Sequence, residues 1–453
     1  MVAFSHSAAL RGAIVSVNGN PFGEAGQQAL TYEADGLILI DNGRITAIGD
    51  YSRLRHDIGT RPVTHYPNAL LLPGFIDTHV HYPQTQIIGA YGAQLIEWLE
   101  QYTFVAEQQF SDDTHAQATA QVFLRETLRA GTTTTAVYCT SHPTSANAYF
   151  SAAEKLGVRT IAGKVMMDRN APQALLDTAQ SGYDDSLALI ERWHGKGRLS
   201  YAVTPRFAPT STPAQLEAAG ALWQKYPGTY MQTHLSENKN EIAWVRELFP
   251  EQNGYLDVYE HYGLVGPRAI FGHCVHLEEA EWQALADNGS AIAHCPTSNG
   301  FLGSGLFDFT RGLSGGAGQA PVRTGLATDV GAGTTLSMMR VMGEAYKIAQ
   351  LGGYSLSAAK ALYLATHGAA KALYLDKHVG TLEAGKEADI VVLDLHSTPL
   401  IDFRMKHCDS IDEALFIQMT MADDRAVKAV YVNGKLTHER DVAATMPATS
   451  PAG

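Results

Sequence analysis

Pro73–Gln84 reads PGFIDTHVHYPQ. It is an apolar, strand-like run ending in two histidines one residue apart, just after an aspartate. Histidine seldom fills a strand, and side chains at i and i+2 leave a strand from the same face. His79 and His81 therefore stand side by side at a strand end. Such a pair is weak evidence alone, so its meaning depends on what other strands bring to the same place.

Working outward, the middle of the chain alternates strand-like and helix-like segments. Strands are expected over 70–82, 131–139, 159–168, 199–210, 229–238, 269–277, 290–299 and 322–333. Amphipathic stretches such as DDTHAQATAQVFLRETLRAG (112–131) and PAQLEAAGALWQKYPG (213–228) lie between most of them. Eight β/α alternations predict an α/β fold, a (β/α)8 TIM barrel. The connection after the first barrel strand is long and contains YGAQLIEWLEQYTFVAEQQF (91–110), as functional lids often are.

Both ends have a different texture. ALRGAIVSVNG, DGLILIDNGRITAIGD and RPVTHYPNALLLPG are β-rich, and so are TLEAGKEADIVVLDL and AVKAVYVNGKLTHE. The Asn-Gly pairs at 42–43 and 433–434 signal hairpin turns. One small β domain built from both ends is expected. Residues 1–70 and 381–440 would form it, 71–380 the barrel, and the Ala/Pro/Ser-rich 441–453 a disordered tail.

Composition narrows the function. The chain has 453 residues, is 45% hydrophobic and 17% charged, and carries a net charge of −13. That balance, with no run of Lys and Arg, disfavours nucleic acid. Cys139, Cys274, Cys295 and Cys408 form no C-x-x-C pair and read as reduced thiols, which points to a cytoplasmic protein. Residues 1–17 lack the charged and apolar regions of a signal peptide, and no apolar run approaches a membrane span.

In the barrel reading, polar residues fall at C-terminal strand ends, the face on which barrel enzymes place active sites. His79 and His81 end the first strand, Arg206 and Phe207 the fourth, His234 and Glu237 the fifth, His273 the sixth and Asp329 the eighth. Four histidines and an aspartate from four strands are ligand chemistry for a divalent transition metal.

These motifs carry a resemblance. PGFIDTHVH, THLSE, GHCVHL and ATDVGAG resemble the amidohydrolase superfamily. HYPQ, LIEWLEQYTF, GKVMMDRNAP, TPRFAPTS, ENKNEIAWV, HCPTSN, LGSGLF and TDVGAGTT resemble its guanine deaminases of the bacterial type, and the likeness runs to about Asn433. It implies a barrel beside a β-sandwich, a homodimer, one zinc ion per subunit (with iron as a substitute), and guanine as the small-molecule substrate. Two-metal relatives resemble one another in a lysine ending the fourth strand. Here TPRFAPT has none and Lys164 lies on the third, so one metal is expected, held by His79, His81, His234 and Asp329. The implied reaction is attack of metal-activated water at C2 of guanine. Glu237 would shuttle protons, and His273 and Asp329 would orient and deprotonate the water. Gln84, Arg206 and Phe207, with His81, His234, Glu237 and Asp329, would contact the base.

Plainer readings stand beside these. Arg206 could serve an ordinary salt bridge, Phe207 the core, and Gln84 a loop. His276 rivals His273 within GHCVHL. His142 and His294 read as structural, and Cys295 as a small buried side chain. Glu97 and Trp98 suit packing as well as substrate contact. Deaminases of other bases, and a metal-free relative of the barrel, are the rival functions. The zinc deaminases that pair H-x-E with P-C-x-x-C are excluded, because the second motif is absent.

Overall fold

The computed structural model describes residues 7–23, 26–92, 94–315 and 320–441. The chain opens with β1 (Ser7–Val17), β2 (Leu30–Asp41), β3 (Arg44–Asp50) and β4 (Val63–Pro73). The middle contributes β5 (Phe75–His81), β6 (Thr132–Tyr138), β7 (Arg159–Gly163), β8 (Val165–Met166), β9 (Leu199–Pro205), β10 (Tyr230–Leu235), β11 (Ala269–His273), β12 (Ala291–His294) and β13 (Arg323–Leu326). The chain closes with β14 (Ile390–Asp394), β15 (Val427–Val432) and β16 (Lys435–Glu439).

Both ends share one mixed sheet in the order β16-β15-β14-β4-β1-β2-β3. Its two tightest hairpins use the Asn-Gly pairs. Asn42 and Gly43 have φ of 51° and 78°, and Asn433 and Gly434 have 49° and 77°. Two successive left-handed residues match the twist of paired strands. The sheet curls until Leu10, Ile38, Tyr66, Ile390 and Tyr431 share one core. Its β3 edge then meets residues 385–388, with Ile45 N donating to Lys386 O at 2.9 Å and Gly385 N to Ile45 O at 2.8 Å.

Two expectations about this part need correction. The strand expected over 70–82 is two strands in different sheets, so the 70/71 boundary falls inside β4. The break comes at Gly74, where a Cβ would lie 2.2 Å from Thr133 Oγ1, too close for any other residue. The segment 381–440 also contains two helices, Pro399–Met405 and Ile411–Met421. Ser410 caps the second by accepting from Glu413 N at 3.2 Å. That helix packs on the barrel side, its Phe416 ring 4.9 Å from Tyr346. The expected tail lies outside the described residues beyond Asp441.

The middle forms the (β/α)8 barrel. Parallel strands follow in the order β5-β6-β7-β9-β10-β11-β12-β13, with the short β8 paired to β9. The ring closes just past β13, where Asp329 N donates to His79 O at 2.9 Å and His81 N to Val330 O at 2.8 Å. The helices follow from local chemistry. Asp112 caps Asp113–Arg129 by accepting from His115 N at 2.7 Å. This helix buries Ala116, Ala120, Phe123 and Leu124, one stripe at helical spacing. No described helix is long and apolar enough to cross a membrane.

A buried ion network joins the two parts. Glu387 Oε2 accepts from Arg159 Nε at 3.0 Å and Arg198 Nε at 2.9 Å, and Asp389 Oδ2 accepts from Arg198 Nη2 at 2.5 Å. Removing one member strands buried charge, which costs about 3–5 kcal/mol. Glu387→Ala is therefore expected to lower the urea unfolding midpoint well below that of the unsubstituted protein. An unchanged midpoint would contradict the network's role.

Candidate active site

Every polar residue expected at a strand end lies at the C-terminal mouth of the barrel. His79 and His81 are on β5, His234 is on β10, and His273 closes β11. Arg206 and Phe207 follow β9, Glu237 lies two residues beyond β10, and Asp329 three beyond β13. Backbone geometry turns several of them inward. Ser236, His273, Cys274 and Asp329 have φ of 50°, 69°, 53° and 47°, left-handed values that non-glycine residues adopt at a cost. Gly272 makes room for His79, since a Cβ there would lie 2.7 Å from the imidazole Cε1.

The structure brings four candidate ligand atoms together. His81 Nε2 lies 3.2 Å from both His79 Nε2 and His234 Nε2. Asp329 Oδ1 lies 3.3 Å from His79 Nε2 and 3.4 Å from His81 Nε2. Donors arranged tetrahedrally at about 2.0–2.1 Å from one ion are roughly 3.3–3.4 Å apart. The protonation states agree with this spacing. His234 Nδ1 is 2.6 Å from Arg206 O and must donate to it, which leaves Nε2 a bare lone pair. Burial lowers the proton affinity of all three imidazoles, those of His81 and His234 strongly. Burial alone would raise the Asp329 carboxyl, but His273, His79 and His234 hold it at about 2. Converging lone pairs beside a carboxylate are repulsive unless a cation joins them, so these residues fit a divalent metal. A second grouping, His79, His273, Cys295 and Asp329, also converges.

Beside the cluster lies an acid–base pair. His273 Nε2 is 3.4 Å from Glu237 Oε2 and 3.7 Å from Asp329 Oδ2. His273 Nδ1 donates to Asn299 Oδ1 at 2.9 Å, which aims Nε2 at the carboxylates. Burial lowers its pKa, but Glu237 and Asp329 more than offset that, so it is raised. Glu237 is pushed up to about 7, chiefly by burial, with His273 opposing and Glu241 reinforcing. The ENKNE sequence explains its placement. Asn238 and Glu241 form the capping box of Lys239–Leu248, and Glu241 Oε2 accepts from Glu237 N at 2.9 Å and Asn238 N at 3.1 Å. Ser304 Oγ donates to Glu237 Oε1 at 3.1 Å.

Gln84, Arg206, Phe207, His81, His234, Glu237, His273 and Asp329 line one cavity, with Leu95, Trp98, Leu99, Leu302 and Ala332 as apolar walls. Residues 95–110 are helical and supply three of those walls. Trp98 therefore faces the cavity, whereas Glu97 accepts from Gln101 Nε2 at 3.0 Å. Lys164 is fully buried and paired with Asp177 at 2.6 Å, away from the ligands. His276 donates to Ser304 O at 2.7 Å and is not part of the cluster.

Sequence reasoning missed several supporting groups. Asp77 Oδ1 accepts from Thr328 N at 3.0 Å and His79 N at 3.2 Å, and its Oδ2 accepts from Thr328 Oγ1 at 2.5 Å, tying β5 to the Asp329 loop. Its place two residues before the H-x-H pair was the available signal. Asn299 and Glu107 were missed too, since only contacts across the fold reveal their partners.

Comparison with known proteins agrees with this geometry. The Amidohydrolase family matches residues 70–437. The chain is 50% identical to the guanine deaminase of Escherichia coli (strain K12), over 96% of this chain and 98% of that protein. It is 37% identical to a probable guanine deaminase of Deinococcus radiodurans, over 96% and 99%. Among solved structures, E. coli guanine deaminase superposes with a TM-score of 0.93 at 49% identity, covering 96% of this chain and 100% of that one. A guanine deaminase from C. acetobutylicum, with guanine bound in its active site, gives 0.85 at 28% identity, covering 95% and 100%.

Elemental analysis of the purified protein is expected to find about one equivalent of a divalent transition metal per chain. His234→Ala should lose most of it on dialysis. Two equivalents, or full retention by the variant, would contradict the four-ligand reading.

Proposed function

The chain belongs to the amidohydrolase family, and from that premise we propose that it hydrolyses guanine to xanthine and ammonia in purine catabolism, using one zinc ion. The observation that carries this reading is the shared cavity: a convergent ligand cluster, a carboxyl titrating near 7 and a donor-bearing edge all face one space. His79, His81, His234 and Asp329 would hold the metal. Three imidazoles and a carboxylate suit zinc, and iron(II) accepts the same set. Bound there, the metal lowers the pKa of water towards about 7 and so supplies the nucleophile.

The chain's own residues do the rest. His273 and the second oxygen of Asp329 orient the attacking water and take up its proton. Glu237, protonated below about 7, gives its proton to ring N3 as C2 becomes tetrahedral. Glu237 is then free to accept the proton that His273 and Asp329 took from the water and pass it to the departing amine, and the proton of the new C2 hydroxyl returns to Glu237 as the carbonyl forms. The C2–N bond breaks as the new C2–O bond becomes a carbonyl, and ammonia leaves.

Recognition falls to the opposite edge. Arg206 carries only donors and suits the acceptor O6. The Gln84 amide offers a donor and an acceptor for the mixed edge, and Phe207 a face for the ring. Adenine presents an amine where guanine has O6, so it sets a donor against Arg206. A site built on such hydrogen bonds rejects the wrong base by roughly 10⁴-fold.

The reading extends to a homodimer in the cytoplasm. The resemblance to the family supports the dimer, and Leu400 and Phe403, 64% and 61% exposed on one helix, are available to be covered by a second copy. Four cysteines with no disulfide among them support a reducing compartment.

The test is ammonia release by zinc-loaded protein from guanine, with adenine and cytosine alongside. Release from guanine alone is expected. Glu237 acts in its protonated form, so kcat/KM should fall as pH rises through about 7, and Glu237→Gln should lower kcat by about 10²–10⁴-fold. Release from adenine, or an unaffected Glu237→Gln variant, would refute the reading.

A further inference from the structure

Glu107 has no role in the reaction described above, yet it touches both side chains assigned to the guanine edge. It ends the helical turn Phe104–Glu107, in the long connection whose Leu95, Trp98 and Leu99 wall the cavity. It is fully buried. Its Oε1 accepts from Gln84 Nε2 at 3.1 Å, and its Oε2 accepts from Arg206 Nη1 at 2.7 Å. Gln84 Oε1 in turn accepts from Gly331 N at 3.1 Å. Gln84 and Arg206 are themselves 2% exposed.

We propose that Glu107 is the positioning residue for base selection: its two carboxylate oxygens hold Gln84 and Arg206 in fixed orientations towards the substrate's six-position edge. This rests on the guanine reading above. A carboxylate only accepts, so both partners must turn an N–H towards it. For Arg206 this fixes the plane of the guanidinium and balances its buried charge, leaving the rest of the fork for the base. For Gln84 it settles which end of the amide is which. Nε2 must face Glu107 and Oε1 must face the Gly331 N–H, and each end keeps one free hydrogen-bonding site. The carboxylate therefore determines where the cavity presents donors, without touching the base. The same residue anchors the connection that walls the cavity, so the wall and the reading edge share one support.

The chain of bonds is direction-dependent, which makes a near-isosteric change informative. In Glu107→Gln, the new amide can accept from Arg206 with its oxygen. Its NH2 then meets the NH2 of Gln84. If Gln84 flips to accept, its own NH2 meets the Gly331 N–H. No arrangement satisfies all three contacts, and Arg206 also loses its counter-charge.

The experiment compares guanine with 2-aminopurine, which carries the same C2 amine but no oxygen at position 6. The zinc-loaded full chain is used, with 2-aminopurine as substrate or, where turnover is too slow, as competitive inhibitor. Glu107→Gln is expected to lower the preference for guanine over 2-aminopurine by roughly 10-fold or more, mainly through KM for guanine, with zinc content unchanged. Glu107→Asp draws the carboxylate back by one carbon and should lower the preference by at least about 3-fold; it serves as the test if Glu107→Gln does not fold. A loss that is equal for both purines, or an unchanged preference, would overturn the positioning role while leaving guanine as the substrate. No turnover of guanine by the unsubstituted enzyme would overturn the substrate reading, and this inference with it.

Discussion

The site is governed by one crowding constraint. Three imidazole nitrogens and a carboxylate oxygen converge with neighbouring separations of 3.2–3.4 Å in a buried pocket. Without a cation, lone pairs would face lone pairs, so the fold has to hold them against that repulsion. Parallel β5 and β10 and the segment past β13 supply the positions. Hydrogen bonds between the 328–330 segment and Asp77, His79 and His81 lock Asp329 to the two histidines. Arg206 O fixes the tautomer of His234 from the neighbouring strand. Barrel closure thus also positions the candidate ligand set.

The same economy governs Glu237. Glu237 is the residue before an N-cap, and its backbone is held by Glu241, whose other oxygen accepts from Tyr255 OH at 2.7 Å. A local capping box therefore determines where this buried carboxyl lies. Burial then determines when it ionises, pushing it to about 7 despite nearby His273. Asp329 is equally buried but surrounded by imidazoles, and stays at about 2. Two buried carboxyl groups of the same mouth are thus separated by environment, Glu237 able to hold a proton near neutral pH and Asp329 ionised at rest.

Much of this was legible in the sequence because it is periodic or local. Strand alternation, helical stripes and Asn-Gly turns reveal the eight β/α units and the two-ended sheet. The residues expected at strand ends reach the mouth because strand direction fixes where each strand stops. What was not legible depends on contacts between distant segments. Glu107 lies within the helical connection after β5, and nothing local distinguishes it from Glu97 or Glu100. Its meaning comes from Arg206, 99 residues further on. Asn299 is paired with His273 only through the fold. The strand break at Gly74 depends on Thr133 from the next strand, a clash that no single segment reveals.

X-ray absorption at the metal edge of the zinc-loaded enzyme asks whether His79, His81, His234 and Asp329 share one metal. A shell of nitrogen and oxygen only is expected, at about 2.0–2.1 Å, with the outer scattering of imidazole rings and no metal–metal vector. A sulfur shell at about 2.3 Å would contradict it, since that would place the ion in the competing group with Cys295.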